Sequence, residues 1–353
     1  MKRRQFVTAI AAAAGLSVAQ ARTRRHSSPS SQPQTQPQTQ PQTQPQTQPG
    51  TLPFYGINMH PNYTWTPQQM ASHLQQIGAK VIRLDTQDTS PGVLSRIASI
   101  ATGIAAIDPT FKVLACITPE TNFGQSEAQN YSTGFGLGAA AANALAPAGV
   151  TVFECGNEMI SQPEICPGGG GVAGNQRGDY THGANWAAMR GLIRGMIDGV
   201  HSVNPLLRCG VNFTEVQIAA SDMLWNGTES DGSTGYPPVR WDITTWHNYQ
   251  SYGSMFNIGG DGATSFGNLI AYIATAYGKP IMITEWNSNP EASDAAGSAY
   301  MQQWMTDMYN NRVQYNIEHV SFYQADGDAP NFGLFVFPQK TSTYKNFVAA
   351  HPG

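Results

Sequence analysis

Charge is scarce in this chain: Asp, Glu, Lys and Arg supply only 12% of its 353 residues. With 36 glycines and 23 prolines, that composition argues against a helical bundle or coiled coil and fits a loop-rich secreted protein. Acidic residues are missing from residues 1–50, where Lys2, Arg3, Arg4, Arg22, Arg24 and Arg25 are six of the 19 basic side chains. Residues 51–353 are left with 13 basic against 23 acidic groups, a net −10. A surface of that sign repels phosphate backbones, so nucleic acid is not an expected partner. The body also lacks any apolar run of the roughly 18–20 residues that span a bilayer, so no integral membrane segment is expected. There is no Gly-rich phosphate loop after the first candidate strand. The four glycines Gly168–Gly171 lie in a later loop with no Lys or helix start behind them, and read as a flexible connection.

The N-terminus reads as an export signal. Lys2, Arg3 and Arg4 precede the apolar run Phe6–Val18, and Ala19-Gln20-Ala21 is an A-x-A cleavage site. Arg3-Arg4 before Gln5-Phe6-Val7 loosely resembles a twin-arginine signal, and an ordinary secretory signal fits as well. Residues 1–21 are assigned to this signal, and the mature chain is expected in the periplasm or outside the cell, as a monomer. Residues 22–50 read as a linker. Pro33, Pro37, Pro41, Pro45 and Pro49 recur in a strict Pro-Gln-Thr-Gln period without apolar side chains, a pattern that favours an extended spacer over a core.

Residues 51–353 read as one domain. Eight short apolar runs alternate with helical stretches: Phe54–Met59, Lys80–Asp85, Lys112–Ile117, Thr151–Gly156, Leu207–Asn212, Asp242–His247, Pro280–Glu285 and His319–Gln324. Thr66 with Pro67 opens the first helix and Gly78 closes it; Ser90-Pro91 opens the second. Helical patterning marks Gly138–Ala148, Val216–Leu224, Trp186–Val203, Ser265–Tyr277, Ala295–Asn310 and Thr341–Ala350. Eight strands alternating with helices in about 300 residues predict an α/β fold, a (β/α)8 TIM barrel, over a doubly wound sheet.

In such a barrel chemistry sits at the C-terminal ends of the strands. Those ends carry Asn58-Met59-His60, Arg83-Leu84-Asp85, Gly156-Asn157-Glu158, Trp246-His247-Asn248-Tyr249, Thr284-Glu285-Trp286-Asn287 and Tyr323-Gln324. Aromatic faces for sugar rings beside polar groups for hydroxyls are what a carbohydrate site requires. Glu158 and Glu285 end the fourth and seventh strands, which face each other across the mouth. Two carboxyls so placed suit glycoside hydrolysis, one protonating the leaving oxygen and one attacking or activating water. The alternative for each is a surface salt bridge.

Phe153-Glu154-Cys155-Gly156-Asn157-Glu158 resembles the Asn-Glu motif of the clan of retaining (β/α)8 glycoside hydrolases that includes cellulases, mannanases, β-xylosidases and arabinofuranosidases. Ile283-Thr284-Glu285-Trp286 is similar to that clan's nucleophile motif, and His247-x-Tyr249 to its His-x-Tyr. Gly333-Leu334-Phe335 through Lys340 and Tyr344 resembles its C-terminal end. The resemblance covers residues 54–350 and fits the clan without selecting a family. It implies Glu158 as acid/base and Glu285 as nucleophile. It also implies Asn157 at the sugar 2-hydroxyl, Tyr249 and Arg83 beside the nucleophile, and His247 beside the acid. His60, Trp286, Tyr323 and Gln324 complete the expected substrate-binding set, with Trp65, Trp225 and Trp246 along an extended cleft. Two positions depart from the clan: Met159 stands where many members have Pro, and Tyr323-Gln324 where many have a Trp platform.

The implied function is a secreted retaining glycosidase acting inside a β-linked polysaccharide (β-glucan, xylan or mannan, or a bacterial exopolysaccharide). The alternative is a carbohydrate-binding barrel without catalysis. No cofactor or metal is expected: no close Cys or His pair has zinc spacing, and Asp326 with Asp328 lacks the further acids of a Ca²⁺ loop. Cys116, Cys155, Cys166 and Cys209 can form a disulfide in an exported protein or remain buried thiols; a bridge from Cys166 to a strand Cys would pin the Gly168–Gly171 loop. Asn62, Asn130, Asn212 and Asn226 head N-x-S/T sequons. If the repeat is a spacer, a chain that begins at Thr51 should melt at the same temperature as one that retains residues 22–50. A large drop in Tm would show that the segment packs on the barrel.

Overall fold

The computed structural model describes residues 51–61, 64–87, 89–169, 172–259, 265–326 and 332–353. The expected signal and linker, Asn62, Gly170, Gly171 and Asp328 lie outside the described residues. Eight parallel strands close a barrel: β1 Tyr55–Met59, β2 Val81–Thr86, β3 Lys112–Ile117, β4 Val152–Cys155, β5 Arg208–Thr214, β6 Ile243–Tyr249, β7 Ile281–Asn287 and β8 Ile317–Phe322. Each strand pairs with its neighbour in sequence, and β8 closes on β1 through Tyr55 opposite Val320. A helix follows every strand: α1 Pro67–Ile77, α2 Pro91–Ile107, α3 Glu127–Leu145, α4 Ala184–Val203, α5 Ile218–Asn226, α6 Leu269–Tyr277, α7 Asp294–Tyr315 and α8 Pro338–Ala350. The chain is a (β/α)8 barrel, as its alternation predicts.

Local chemistry sets the helix ends. The Thr66 hydroxyl accepts from Gln69 N, the Gln69 side chain accepts from Thr66 N, and Gly78 ends α1 in the left-handed region (φ 75°). Ser126 and Gln129 form the same reciprocal cap. That cap starts α3 at Glu127, upstream of the Ala-rich stretch that sequence reading picks out. Ser265–Tyr277 divides differently from expectation. Ser265–Gly267 pairs antiparallel with Ile258–Gly259, and the helix starts only at Leu269. The reason is local: Gly267 has φ 96°, and the Asn268 side chain accepts from Ala271 N as an N-cap.

The barrel interior has an apolar floor and a polar top. Leu52, Val81, Leu114, Val152, Ile243 and Met282 form a separate buried cluster toward the N-terminal ends of the strands. The larger apolar cluster fills the layer between strands and helices. Further up the barrel the interior residues become Asn58, Arg83, Glu154, Asn212, His247 and Thr284, all buried.

Helices α3 and α4 approach closely through facing glycines. Gly134 and Gly138 lie on the α4 backbone at Leu192 and Met196, while Gly191, Gly195 and Gly199 lie on the carbonyls of Glu127, Tyr131 and Phe135. Replacing Gly195 by Ala would drive a methyl into the Tyr131 carbonyl oxygen, with backbone rather than a flexible tip in the way. Gly195→Ala should therefore cost roughly 1–3 kcal/mol or more in denaturant unfolding. Gly136→Ala, where the new methyl meets nothing within 4 Å, should be neutral or gain about 0.5–1 kcal/mol from helix propensity. Equal effects at the two sites would refute the packing account.

Candidate active site

Arg83 on β2 stands in the polar top of the barrel, 1% exposed. It donates to Glu154 at 2.6 Å, Asn58 Oδ1 at 2.9 Å, Glu285 Oε1 at 2.8 Å, Asn157 Oδ1 at 2.7 Å and Cys116 Sγ at 3.3 Å. Burial works against its charge, but Glu154, Cys116 and Glu285 outweigh that and hold it well above its usual range. Glu154 Oε1 also accepts from Thr284 Oγ1 at 2.8 Å. Despite complete burial, Glu154 is held below the usual carboxylate range by Arg83 and then His247. A charged residue in the middle of the apolar run Val152–Cys155 is the signal by which sequence reading could have found it.

Glu158 follows β4 in a left-handed conformation (φ 48°, ψ 31°) after Gly156 at φ 106°. Its N–H donates to Asn212 Oδ1 at 2.9 Å. Glu285 reaches the same space through a bulge in β7. His247 pairs with Glu285 and Trp246 with Ile283, leaving Thr284 as the extra residue. The bulge brings both Thr284 and Glu285 into the barrel, where Thr284 meets Glu154 and Glu285 meets Arg83 and Tyr249. Tyr249 Oη donates to Glu285 Oε2 at 2.7 Å. His247 Nδ1 lies 2.8 Å from Glu158 Oε1, and its Nε2 lies 3.5 Å from Glu285 Oε1. A carboxylate oxygen of Glu158, a ring nitrogen of His247 and a carboxylate oxygen of Glu285 all fall within 4.8 Å of one another.

The charges of the pair are ordered differently from expectation. Burial pushes the Glu285 carboxyl up, against His247 and Arg83, and the nearby Glu158 charge adds to the rise. Glu158, also opposed by burial, is drawn below the usual carboxylate range by its hydrogen bond to His247. A carboxyl that donates a proton would need the reverse.

Of the other expected site residues, His60 and Gln324 are joined: His60 Nδ1 lies 2.6 Å from Asp85 Oδ1, and its Nε2 lies 2.5 Å from Gln324 Oε1. Tyr323 packs edge-on to Tyr249, Phe332 and His60. Trp286 is a correction. It is fully buried outside the barrel, stacked on Trp304 at 4.0 Å, because the bulge turns Glu285 inward and Trp286 outward. Trp246 is likewise fully buried, packed on Phe213, and Trp225 packs on Trp241 and Tyr277. Trp65 stacks on His73. The aromatic faces beside the carboxylates belong to Tyr249, Tyr252, Tyr323 and Phe332.

Sequence reading placed Asn58, Asp85 and Thr284 at the strand ends without giving them a role, and gave none to Glu154, Asn212 or Glu215. Asn212 was visible only as a sequon head; it and Asn130 are buried and hydrogen-bonded, which leaves neither open to glycosylation. All four cysteines are free, buried thiols, so of the two readings the buried thiol is the one found, and Cys166 forms no bridge. Another set of potential ligand atoms, on His201, Cys209 and Asp242, lies within 4.8 Å toward the far end of the barrel. There Asp242 Oδ2 already accepts from Cys209 N and faces His201 Nε2, each at 2.9 Å.

No family model matches the chain, and no curated protein matches it. Solved structures do. An Ignisphaera aggregans GH53 catalytic domain superposes with a TM-score of 0.54 at 15% identity, over 84% of this chain and 95% of that one. A glycoside hydrolase family 30 subfamily 8 xylanase from Clostridium acetobutylicum gives 0.53 at 13%, over 85% and 72%. An endo-1,4-beta-mannanase from Rhizomucor miehei gives 0.52 at 14%, over 87% and 96%. At these identities the likeness is one of fold.

Removing Arg83 tests the electrostatic account. Arg83→Met leaves Glu154 buried without its cation, which costs roughly 3–5 kcal/mol at neutral pH. The sign follows from linkage: Arg83 holds the Glu154 pKa down, so its contribution is present at pH 7 and fades as the carboxyl protonates at low pH. Unfolding at pH 7 and pH 4 should show a deficit that shrinks toward acid. A deficit independent of pH would mean that Arg83 acts through packing alone.

Proposed function

We propose that this protein is a retaining glycoside hydrolase that cleaves β-glycosidic bonds within a polysaccharide by double displacement. The observation that carries this reading is the placement of Glu158 and Glu285 across the barrel mouth with carboxylate oxygens within 4.8 Å. A separation near 5 Å leaves no room for a water to attack directly and suits a covalent intermediate. Glu285 is the nucleophile, its negative charge held before attack by Arg83 at 2.8 Å and Tyr249 at 2.7 Å. Its oxygen bonds to the anomeric carbon as the C–O bond to the leaving sugar breaks. Glu158 gives its proton to that leaving oxygen, then takes one from the water that releases the sugar from Glu285. His247 orients Glu158, and Asn157, held by Arg83, meets the 2-hydroxyl. His60, Tyr323 and Gln324 line the bound sugar.

The polar and aromatic residues at the mouth support a carbohydrate substrate, and neighbours of the same fold include a xylanase and a mannanase. A β-glucan, a xylan or mannan, or a bacterial exopolysaccharide fits it. The enzyme acts as an exported monomer, endo on the chain, with no cofactor. The presence of both carboxylates, each with hydrogen-bond support, favours catalysis over a carbohydrate-binding barrel that has lost it.

Proton NMR of the first-formed anomer tests the mechanism: retention is expected, and an inverted first product would remove Glu285 as nucleophile. Glu285→Ala should abolish turnover on every substrate. Glu158→Ala should scarcely cut natural glycosides yet still react with a substrate whose leaving group is acidic, and azide should speed its release of the trapped sugar. Activated substrates still reacting in Glu285→Ala would mean that the two roles are reversed.

A further inference from the structure

A buried ring nitrogen between the two carboxylates is left without a partner. His247 Nε2 is inaccessible to solvent and forms no hydrogen bond among the described residues, although Glu285 Oε1 stands 3.5 Å away. The other ring nitrogen, Nδ1, lies 2.8 Å from Glu158 Oε1. A neutral imidazole has one N–H. Carried on Nδ1, that N–H serves the Glu158 carboxylate and leaves the Nε2 lone pair facing the Glu285 oxygen. Two electron-rich atoms then confront each other across a gap longer than an ordinary hydrogen bond. The gap has the dimensions of a metal site: two ligand atoms each about 2.1 Å from a tetrahedral Zn²⁺ lie about 3.4 Å apart. A hydrogen bond from the second ring nitrogen to a carboxylate is also the support that a metal-binding histidine usually has. Glu158 can supply a third ligand. A carboxylate oxygen of Glu158 is within 4.8 Å of the other two ligand atoms, and its side chain, 35% exposed, has room to turn its second oxygen inward.

We propose that His247 Nε2, Glu285 and Glu158 form a binding site for a divalent transition-metal ion of the Zn²⁺ or Cu²⁺ class, and that the ion is a reversible inhibitor rather than a cofactor. It would occupy the space between the carboxylates and tie up the oxygen that attacks. The blocking effect deepens the hydrolase reading above and rests on it; the binding of the ion does not. Charge favours a dication there. Glu154, Glu158 and Glu285 share one guanidinium, that of Arg83, which leaves two negative charges in excess. Burial already pushes the Glu285 carboxyl up, with the Glu158 charge adding to the rise, and a cation between the two would relieve that penalty. One imidazole with two carboxylates selects the class of ion. Zn²⁺ and Cu²⁺ take nitrogen ligands readily, whereas Mg²⁺ and Ca²⁺ prefer oxygen alone. The cluster of His201, Cys209 and Asp242 is the competing site, but its His201 Nε2 is already engaged by Asp242 Oδ2 at 2.9 Å.

Two experiments with the whole, chelator-treated protein test this. The first is calorimetric titration with ZnCl₂, which should show one site per chain, against MgCl₂, which should give no binding heat. Glu158→Gln keeps the side-chain shape and removes a charged ligand, and should weaken Zn²⁺ binding at least about tenfold. His247→Asn keeps a polar atom near the Nδ1 position and removes Nε2, and should weaken it by at least as much. His201→Gln should leave the affinity unchanged. Wild type that binds no Zn²⁺ overturns the site. So does binding that survives in Glu158→Gln and is lost in His201→Gln. Co²⁺ in place of Zn²⁺ gives a further check, since an intense near-ultraviolet thiolate band would put the ion on Cys209 instead. If His247→Asn does not fold, Glu158→Gln and the Co²⁺ spectrum still decide. The second experiment is steady-state kinetics: Zn²⁺ should raise KM and leave kcat unchanged, and EDTA should restore the original KM. A lowered kcat at saturating substrate would overturn the blocking role. Wild type that turns over no glycoside would sink the hydrolase reading alone, because calorimetry still decides whether the ion binds.

Discussion

The site depends on one guanidinium. Arg83 touches four side chains that come from four other strands, Asn58 on β1, Cys116 on β3, Glu154 on β4 and Glu285 on β7, and a fifth, Asn157, just past β4. Two of these are carboxylates too buried to stand without a cation. Its planar fork of donors satisfies them together, which a lysine could not do. The cost of placing charge inside the barrel is thus offset once, by a single residue, and the geometry of the carboxylates above it follows. Asn58 extends the lattice by donating to the carbonyls of Thr284 and Phe322, which ties the bulged strand and its neighbour to the same centre.

Much of this architecture could be read from the sequence. The eight apolar runs mark the eight strands within a few residues, because parallel strands buried on both faces must be apolar nearly throughout. Residues that break those runs at their C-terminal ends are the ones found at the mouth. The misreadings have local causes. Alternation alone would set Thr284 and Trp286 on one face and Glu285 on the other. The extra residue in β7 breaks that rule, so Trp286 packs on Trp304 instead of facing the opening. Composition carries no mark of such a bulge. Glu154 was passed over for the opposite reason: its importance lies in which charges surround it, and those charges come from residues far away in the chain.

The same locality explains why the pair of catalytic candidates could be named but their proton order could not. Sequence places a carboxyl at the end of each strand. It does not say that His247 stands 2.8 Å from one and 3.5 Å from the other, or that Glu285 is the more enclosed, with its side chain 8% exposed against 35% for Glu158. Those differences decide which group gives up its proton first.

The apolar floor formed by Leu52, Val81, Leu114, Val152, Ile243 and Met282 has a bearing on traffic. It stops the barrel at one end, so everything that reaches the carboxylates passes through the other. A departing fragment and an incoming water would share a single doorway, and the second could enter only as the first vacates it. Any other acceptor bearing a hydroxyl and waiting at that doorway would compete with water for the same turn, so the residues at the rim would govern whether a chain is cut or rejoined.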